Sequence, residues 1–374
     1  MMQRLCRRIL TTAALVLSIG WNVAVATAFE SAPLEYETVR TRGMGGVSVP
    51  IADDQQALFT NAAGLFQNKE NVFAVANVAG DMNQDFRRVK NRTGGLSDRD
   101  TPETRAANNA VLNDIMGQHA RLQASNLAYY LGQQGFGAGF LYQSTGEIGV
   151  VRPTNPRIQA RATVDSVLVG GLSRPIPNLR NLFHDRALGW WGGSVKFLSR
   201  RYLNREYDAR DFAGLSEGDL RDAQLKGSGG DLDFSTFWML DNPWQASLGL
   251  TVNNILESEL DPLVGHLPRQ IGFGAAIHPL TGDAARKKKL VLAAEMWDLA
   301  NGKVWLKQLR MGFEALVRPW LTLRGGLRSG YLTAGATARF RVARLDFATY
   351  SDERGPRPGD REDRRYSMEL SLDF

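Results

Sequence analysis

The chain holds a single cysteine, Cys6, in 374 residues, so no intramolecular disulfide can staple its fold. Its four histidines, His119, His184, His266 and His278, show no metal-ligand spacing, and neither a metal nor a cofactor is expected. Beyond residue 28 there is no continuous apolar run long enough for a transmembrane helix. A strong charge of either sign is also missing. The formal net charge is +6, and residues 1–28 carry Arg4, Arg7 and Arg8 with no acid, so 6 − 3 leaves +3 for the rest. That balance gives no reason to expect nucleic acid as a partner.

What is present begins with residues 1–28. A basic start, an apolar run from Ile9 to Ala26 and the triplet Ala26-Thr27-Ala28 predict a secretory signal cleaved before Phe29. An uncleaved anchor is the alternative reading. Export combined with a mean hydropathy of only −0.26 suits either a soluble exported protein or a membrane barrel whose strands are half polar.

Strand periodicity separates those two. Tyr366, Met368, Leu370, Leu372 and Phe374 alternate without a break with Ser367, Glu369, Ser371 and Asp373. A period of two places the sets on opposite faces of a strand. Similar runs recur, for example Leu248, Leu250 and Val252 against Ser247, Gly249 and Thr251. Fourteen strands are predicted, near 71–80, 119–131, 135–146, 159–173, 188–200, 231–240, 244–254, 269–278, 288–299, 304–317, 320–329, 331–341, 343–351 and 364–374. Many are about the 9–11 residues a tilted barrel strand needs. Their connections sort by parity. Gly132-Gln-Gln134, Asp241-Asn-Pro243 and Arg318-Pro319 are short, whereas 81–118, 147–158, 201–230, 255–268 and 352–363 are long and polar. Short periplasmic turns and long exterior loops are the habit of outer-membrane barrels. The expected fold is therefore all-β, an antiparallel transmembrane β-barrel of about 14 strands over residues 67–374, with short loop helices.

Before the first strand, Arg42-Gly-Met-Gly-Gly46 is followed by Ala52-Asp-Asp54 and Asn61-Ala-Ala-Gly64. Gly43, Gly45 and Gly46 permit positive φ and close backbone approach, and Asp53 and Asp54 are placed to cap a short helix over Gln55–Phe59. The residues alone fit an inserted segment or an ordinary glycine-rich turn. The series resembles the amino-terminal signature of FadL-type outer-membrane transport proteins and the related PorV-type proteins. There a glycine-rich start, an acidic pair and an asparagine-proline-alanine-glycine element precede the first barrel strand; Ala62 stands where that proline would be. Leu345-Asp-Phe-Ala-Thr-Tyr350 with Glu353-Arg-Gly-Pro356 and Asp363-Arg-Arg365 is similar to the last hairpin of PorV-type chains. The resemblance implies a hatch over residues 29–66, with Gly43, Gly45, Gly46, Asp53, Asp54, Asn61 and Gly64 as its motif. It also implies a bacterial outer-membrane location and a carboxy-terminal insertion signal, Tyr366 to Phe374, read by the barrel-insertion machinery.

On the later strands the polar face would line a lumen with Glu295, Arg310, Glu314, Arg324, Arg328, Arg339, Arg341, Arg344, Asp346, Glu369 and Asp373. Charge at membrane depth is tolerable only where water or a partner charge meets it. An ion-pair ladder and an arginine-rich anion channel are both compatible with that list. In the first exterior loop, Thr101-Pro102-Glu103 reads as a helix start, and Val111, Leu112, Ile115 and Met116 share a face that could dock a solute or pack as a lid. Gly214-Leu-Ser-Glu-Gly218 matches a hydrolase expression, but no strand runs into it, so Ser216 with Asp219 reads as a helix cap. No catalytic residue is assigned. The expected function is passive transport of hydrophobic or amphipathic small molecules, with outer-membrane lipid as a partner. The alternative is a PorV-like component or carrier in protein secretion.

Overall fold

In the computed structural model, residues 34, 36–152, 154–177, 187–262, 264–279, 289–302 and 304–373 are described. The expected signal, residues 1–28, and the terminal Phe374 lie outside them. Alternating side chains produce fourteen barrel strands. These are β1 (Val72–Asn83), β2 (His119–Gly132), β3 (Phe136–Val151), β4 (Arg157–Pro175), β5 (Ala187–Tyr207), β6 (Leu225–Leu240) and β7 (Ser247–Asn253). A small separate hairpin, β8 (Glu259–Asp261) and β9 (Gly265–His266), precedes β10 (Gln270–Ile277), β11 (Leu290–Met296), β12 (Leu309–Arg318), β13 (Leu321–Arg328), β14 (Tyr331–Phe340), β15 (Ala343–Glu353) and β16 (Glu362–Asp373). Each barrel strand pairs antiparallel with its neighbours, and β16 closes the ring on β1 in the register Ala79↔Glu369. Closure leaves no unpaired edge, the condition for a sheet to cross lipid.

The two faces of the wall differ as the periodicity requires. On β16, Tyr366, Met368, Leu370 and Leu372 are exposed, while Ser367, Glu369 and Ser371 are buried. Phe73, Phe140, Leu168, Phe197, Phe273, Phe313 and Phe347 are also among the exposed apolar side chains. An apolar outer surface that continues around the whole ring is far beyond what a soluble monomer exposes, and it meets lipid. Trp244, Trp320 and Phe340 are exposed at the end where the connections are short, as an interfacial aromatic belt requires. The opposite, exterior end carries the long loops.

Four segments differ from the sequence expectation, one of them the strand expected over 304–317, which starts at Leu309 because Trp305–Gln308 is a helical turn. Residues 147–158 and 201–230, expected as loops, carry strand at both ends, because pairing continues to Val151↔Arg157 and Ile158↔Tyr207. Their extra length supports a cap: Val150, Ile158 and Ala209 pack with Val89 of helix α3 (Phe86–Thr93), Leu112 of α4 (Pro102–Asp114) and Ile115 just after it. Strand β7 starts at Ser247 instead of 244. The Asn242 side-chain oxygen accepts from the amides of Trp244 (3.2 Å) and Ala246 (3.1 Å), and Gln245 takes φ 44°, which holds 242–246 as a turn.

Candidate functional site

Helix α1 (Val39–Gly43) packs on β13–β16, the turn Val49–Ile51 on β7, β10 and β11, and helix α2 (Ala57–Thr60) with the following turn Ala62–Gln67 on β3–β6. Only a segment inside the ring can touch strands on all of these sides. Met44, Val47, Val49, Leu58 and Leu65 are fully buried there. The Thr38 hydroxyl caps α1 by accepting from the Thr41 amide at 3.2 Å.

The glycine motif lets backbone lie against backbone. Gly45 and Gly46 take φ 72° and 88°, a region that disfavours other residues. A Cβ on wall residue Gly312 would collide with the Met44 carbonyl, and one on Gly326 with Gly45. On the opposite wall, Gly192 leaves the same room for Ala63. The Asn61 side-chain amide donates to the Val49 carbonyl at 2.9 Å, and a Cβ on Gly64 would strike Ala52. Ala62 is the first residue of a helical turn, where no backbone N–H partner is required, so the turn forms without a proline there.

Along β11–β16 the plug is held by charge. Arg40 reaches Asp53 (2.5 Å), Asp54 (3.0 Å) and Glu314 (2.9 Å), and Glu314 also meets Arg324 at 2.6 Å. Asp54 accepts the Gln56 amide as well, and Asp53 pairs with Arg40. From Arg324 the chain of pairs continues through Asp346 (3.1 Å) and Arg344 to Glu369. The Glu369 carboxylate accepts from the Val39 amide (3.1 Å) and from Asn77 (2.8 Å). Glu295 accepts from the amides of both Ser48 and Val49 at 2.8 Å and pairs with Arg310, while Glu37 joins Arg328 at 2.5 Å. Above them, Tyr350 donates to Asp81 at 2.8 Å beneath the guanidinium of Arg42, 5.4 Å from its ring centre. Arg339 and Arg341 are exposed at the periplasmic mouth. The predicted lumen residues thus divide into a buried ion-pair ladder and two exposed arginines. Asp373's side chain lies outside the description.

Along β2–β5 the inner wall carries an apolar strip, with the buried Arg200–Asp165 pair (2.7 Å), Gln143 and Lys196 beside it. Leu127, Tyr129, Leu131, Leu141, Val167, Val169 and Leu198 face Leu58, Phe59 and Leu65 of the plug. At the periplasmic end Phe66 stacks on Trp190 (3.5 Å, 4°), and at the exterior end Leu260, Val264 and Leu267 of the β8–β9 hairpin cover the cluster. This strip did not emerge from the sequence reading, which drew the lumen only from the later strands.

Two chambers flank the plug. The exterior one, about 470 Å³, includes Tyr36, Glu37, Arg310, Arg328 and Asp352; the periplasmic one, about 690 Å³, includes Arg40, Asp53, Glu314, Arg324 and Arg344. No residue lines both. Among the described residues the expected exterior helix is present as α4, capped by Thr101, whose hydroxyl accepts from Thr104 at 3.2 Å. Leu112 and Ile115 are buried in the cap, so its face packs as a lid. After helix α5 (Ala209–Ala213), Ser216 donates to Asp219 at 2.7 Å ahead of α6 (Glu217–Asp222). The Ser216 hydroxyl and amide hold the exposed Asp219 carboxyl below the usual range.

No family model matches this chain, and no curated protein matches it. Solved structures do. A monoaromatic hydrocarbon channel, a TodX deltaS2S3 mutant, aligns with a TM-score of 0.52 at 12% identity, over 91% of this chain and 98% of that one. The Ralstonia pickettii toluene transporter TbuX aligns with TM-score 0.46, 11% identity, and 92% and 99% coverage. The Pseudomonas putida toluene transporter TodX gives 0.47, 10%, and 92% and 98%. At these identities the likeness concerns the fold. The chain is a closed fourteen-strand barrel with the fold of the FadL-type outer-membrane channels.

Proposed function

We propose that this barrel is a passive outer-membrane channel for small hydrophobic or amphipathic molecules, with residues 29–66 as its hatch. The observation that carries the reading is the apolar strip on the inner face of β2–β5, from Leu127 and Leu131 across Val167 and Val169 to Leu198, which lies against the plug's own apolar side between the exterior hairpin and Phe66. Displacing α2 and the turn after it would bare a path for an apolar solute, while the ladder on β11–β16 keeps the rest of the plug anchored. The monoaromatic hydrocarbon channel that shares the fold favours a solute of that size and polarity. Initial uptake of labelled toluene by cells lacking other channels of this fold tests it. Faster uptake on expression of the chain is expected, and uptake equal to the empty-vector control would contradict it.

One observation favours the second reading, a partner or carrier in protein secretion. Both chambers are lined largely by polar and charged groups, and the plug is packed on every side, which suits a barrel that works through its exterior surface. Co-purification with secretion components would support it, and a barrel isolated without partners from its native membrane would count against it. Under either reading, the strand ending in Tyr366–Phe374 is proposed to be read by the insertion machinery.

A further inference from the structure

The lipid face of β12–β14 carries an apolar groove of about 650 Å³. Its floor is a cross-strand row of small outward residues, in the register Gly325↔Ala334 and Ala334↔Thr349. Leu327 and Leu332 bound the row on the exterior side, and Phe313, whose ring lies over Gly325, bounds it at one end. Arg364 also lines the groove, and it is the residue that turns an apolar notch into a site with a charged end. It stands opposite Ser351 near the top of the wall, on the same outward face of β16 as Tyr366, the first side chain of the apolar band. Its one carboxylate neighbour among the described residues is Glu362, at 3.9 Å, too far for a tight pair.

More charge lies beside it. The Gln84 amide donates to the Arg364 carbonyl at 2.9 Å, and α3 begins two residues later. That helix presents exposed Arg87, Arg88, Lys90 and Arg92. Arg88 and Arg92 share Asp114; Arg87 has no ion pair among the described residues, and Lys90 sits 5.8 Å from the Phe86 ring. The five bases outnumber the local acids Asp85, Asp114 and Glu362. An apolar groove wide enough for a hydrocarbon chain thus ends at a basic rim, on the exterior side of the wall.

We propose that groove and rim form a binding site for lipopolysaccharide, one acyl chain in the groove and a lipid A phosphate on Arg364, with Arg87 and Lys90 adding charge around it. The inference rests on the outer-membrane reading above. It follows from which end is charged: the outer leaflet is a phosphorylated glycolipid, and guanidinium groups bind phosphate oxygens in pairs. Basic pockets beside membrane spans hold lipid headgroups in the same way.

The test uses the full chain in nanodiscs and measures binding of bisphosphorylated lipid A, with monophosphorylated lipid A and phosphatidylglycerol as comparisons. Wild type is expected to bind the bisphosphorylated form most tightly. Arg364→Ala with Arg87→Ala and Lys90→Ala should weaken it about a hundredfold, since each basic group near the headgroups contributes on the order of fivefold in affinity. Ala334→Trp fills the groove with every charge in place and should weaken binding as well, without touching the lumen. Unchanged binding in both variants would overturn the site, and equal affinity for phosphatidylglycerol would overturn lipopolysaccharide as its ligand. Failure of the outer-membrane reading would show differently, as absence of the chain from the outer-membrane fraction.

Discussion

Along β11–β16 the plug meets the wall chiefly through carboxylates and guanidinium groups; along β2–β5 it meets it chiefly through leucine, valine and aromatic side chains, with one hydrogen bond from Ser173 to the Ala63 carbonyl at 2.8 Å. The first kind of contact is directional. Arg40 satisfies Glu314 and Asp53 in one position only, and a shift of an ångström or two would leave buried charge without a partner. The second kind is not directional, because dispersion and apolar burial change little when one greasy face slides on another. A segment held both ways is fixed in register on one side and has fewer directional contacts to break on the other. That difference is why the account places the solute path at the apolar seam and the anchor at the ladder.

The comparison can be broken by mutation, and the largest effect is expected at a glycine. Gly312→Leu would put a side chain where the Met44 carbonyl lies, and the plug could not seat at all. Continuous conductance in planar bilayers is the expected outcome, with a barrel that still runs as a folded species on an unheated gel. Leu58→Ala should cost about 2–5 kcal/mol of plug seating, as large-to-small changes in packed interiors do. Amide exchange should rise over 57–66 and stay low over 39–46. Glu314→Ala leaves Arg40 and Arg324 short of a partner and should cost about 3 kcal/mol, at the low end for a broken buried pair because the periplasmic chamber wets it. Its exchange pattern should be the converse, with 39–46 loosened first. If the two variants loosen the same residues, the halves are not independent and the comparison fails. The smallest effect is expected in the lid: Thr101→Ala removes the α4 cap for about 1 kcal/mol, with hydrocarbon uptake unchanged.

How much of this was readable follows the same division. Strands such as Tyr366–Leu372 alternate cleanly because one face meets lipid and the other holds charge, so both the ring and Glu369's inward direction could be read from period two. The hatch glycines were legible as a motif, and Gly45 and Gly46 do take positive φ. The apolar half was not legible. Leu127-Ala-Tyr-Tyr-Leu131 is apolar on both faces, so its periodicity carries no inside or outside. Wall glycines such as Gly312 and Gly192 are equally silent, since a missing side chain says nothing until its partner backbone is in place. The pairing of Arg40 with Glu314 spans 274 positions and joins plug to wall, a contact that no local pattern encodes.

The central claim is that residues 29–66 close the barrel. Single-channel conductance of the intact chain and of a chain lacking 29–66, compared in planar bilayers, tests it most directly. The account predicts a quiet trace from the intact barrel and steady, large openings from the deletion. Equal conductance from the two proteins would contradict it.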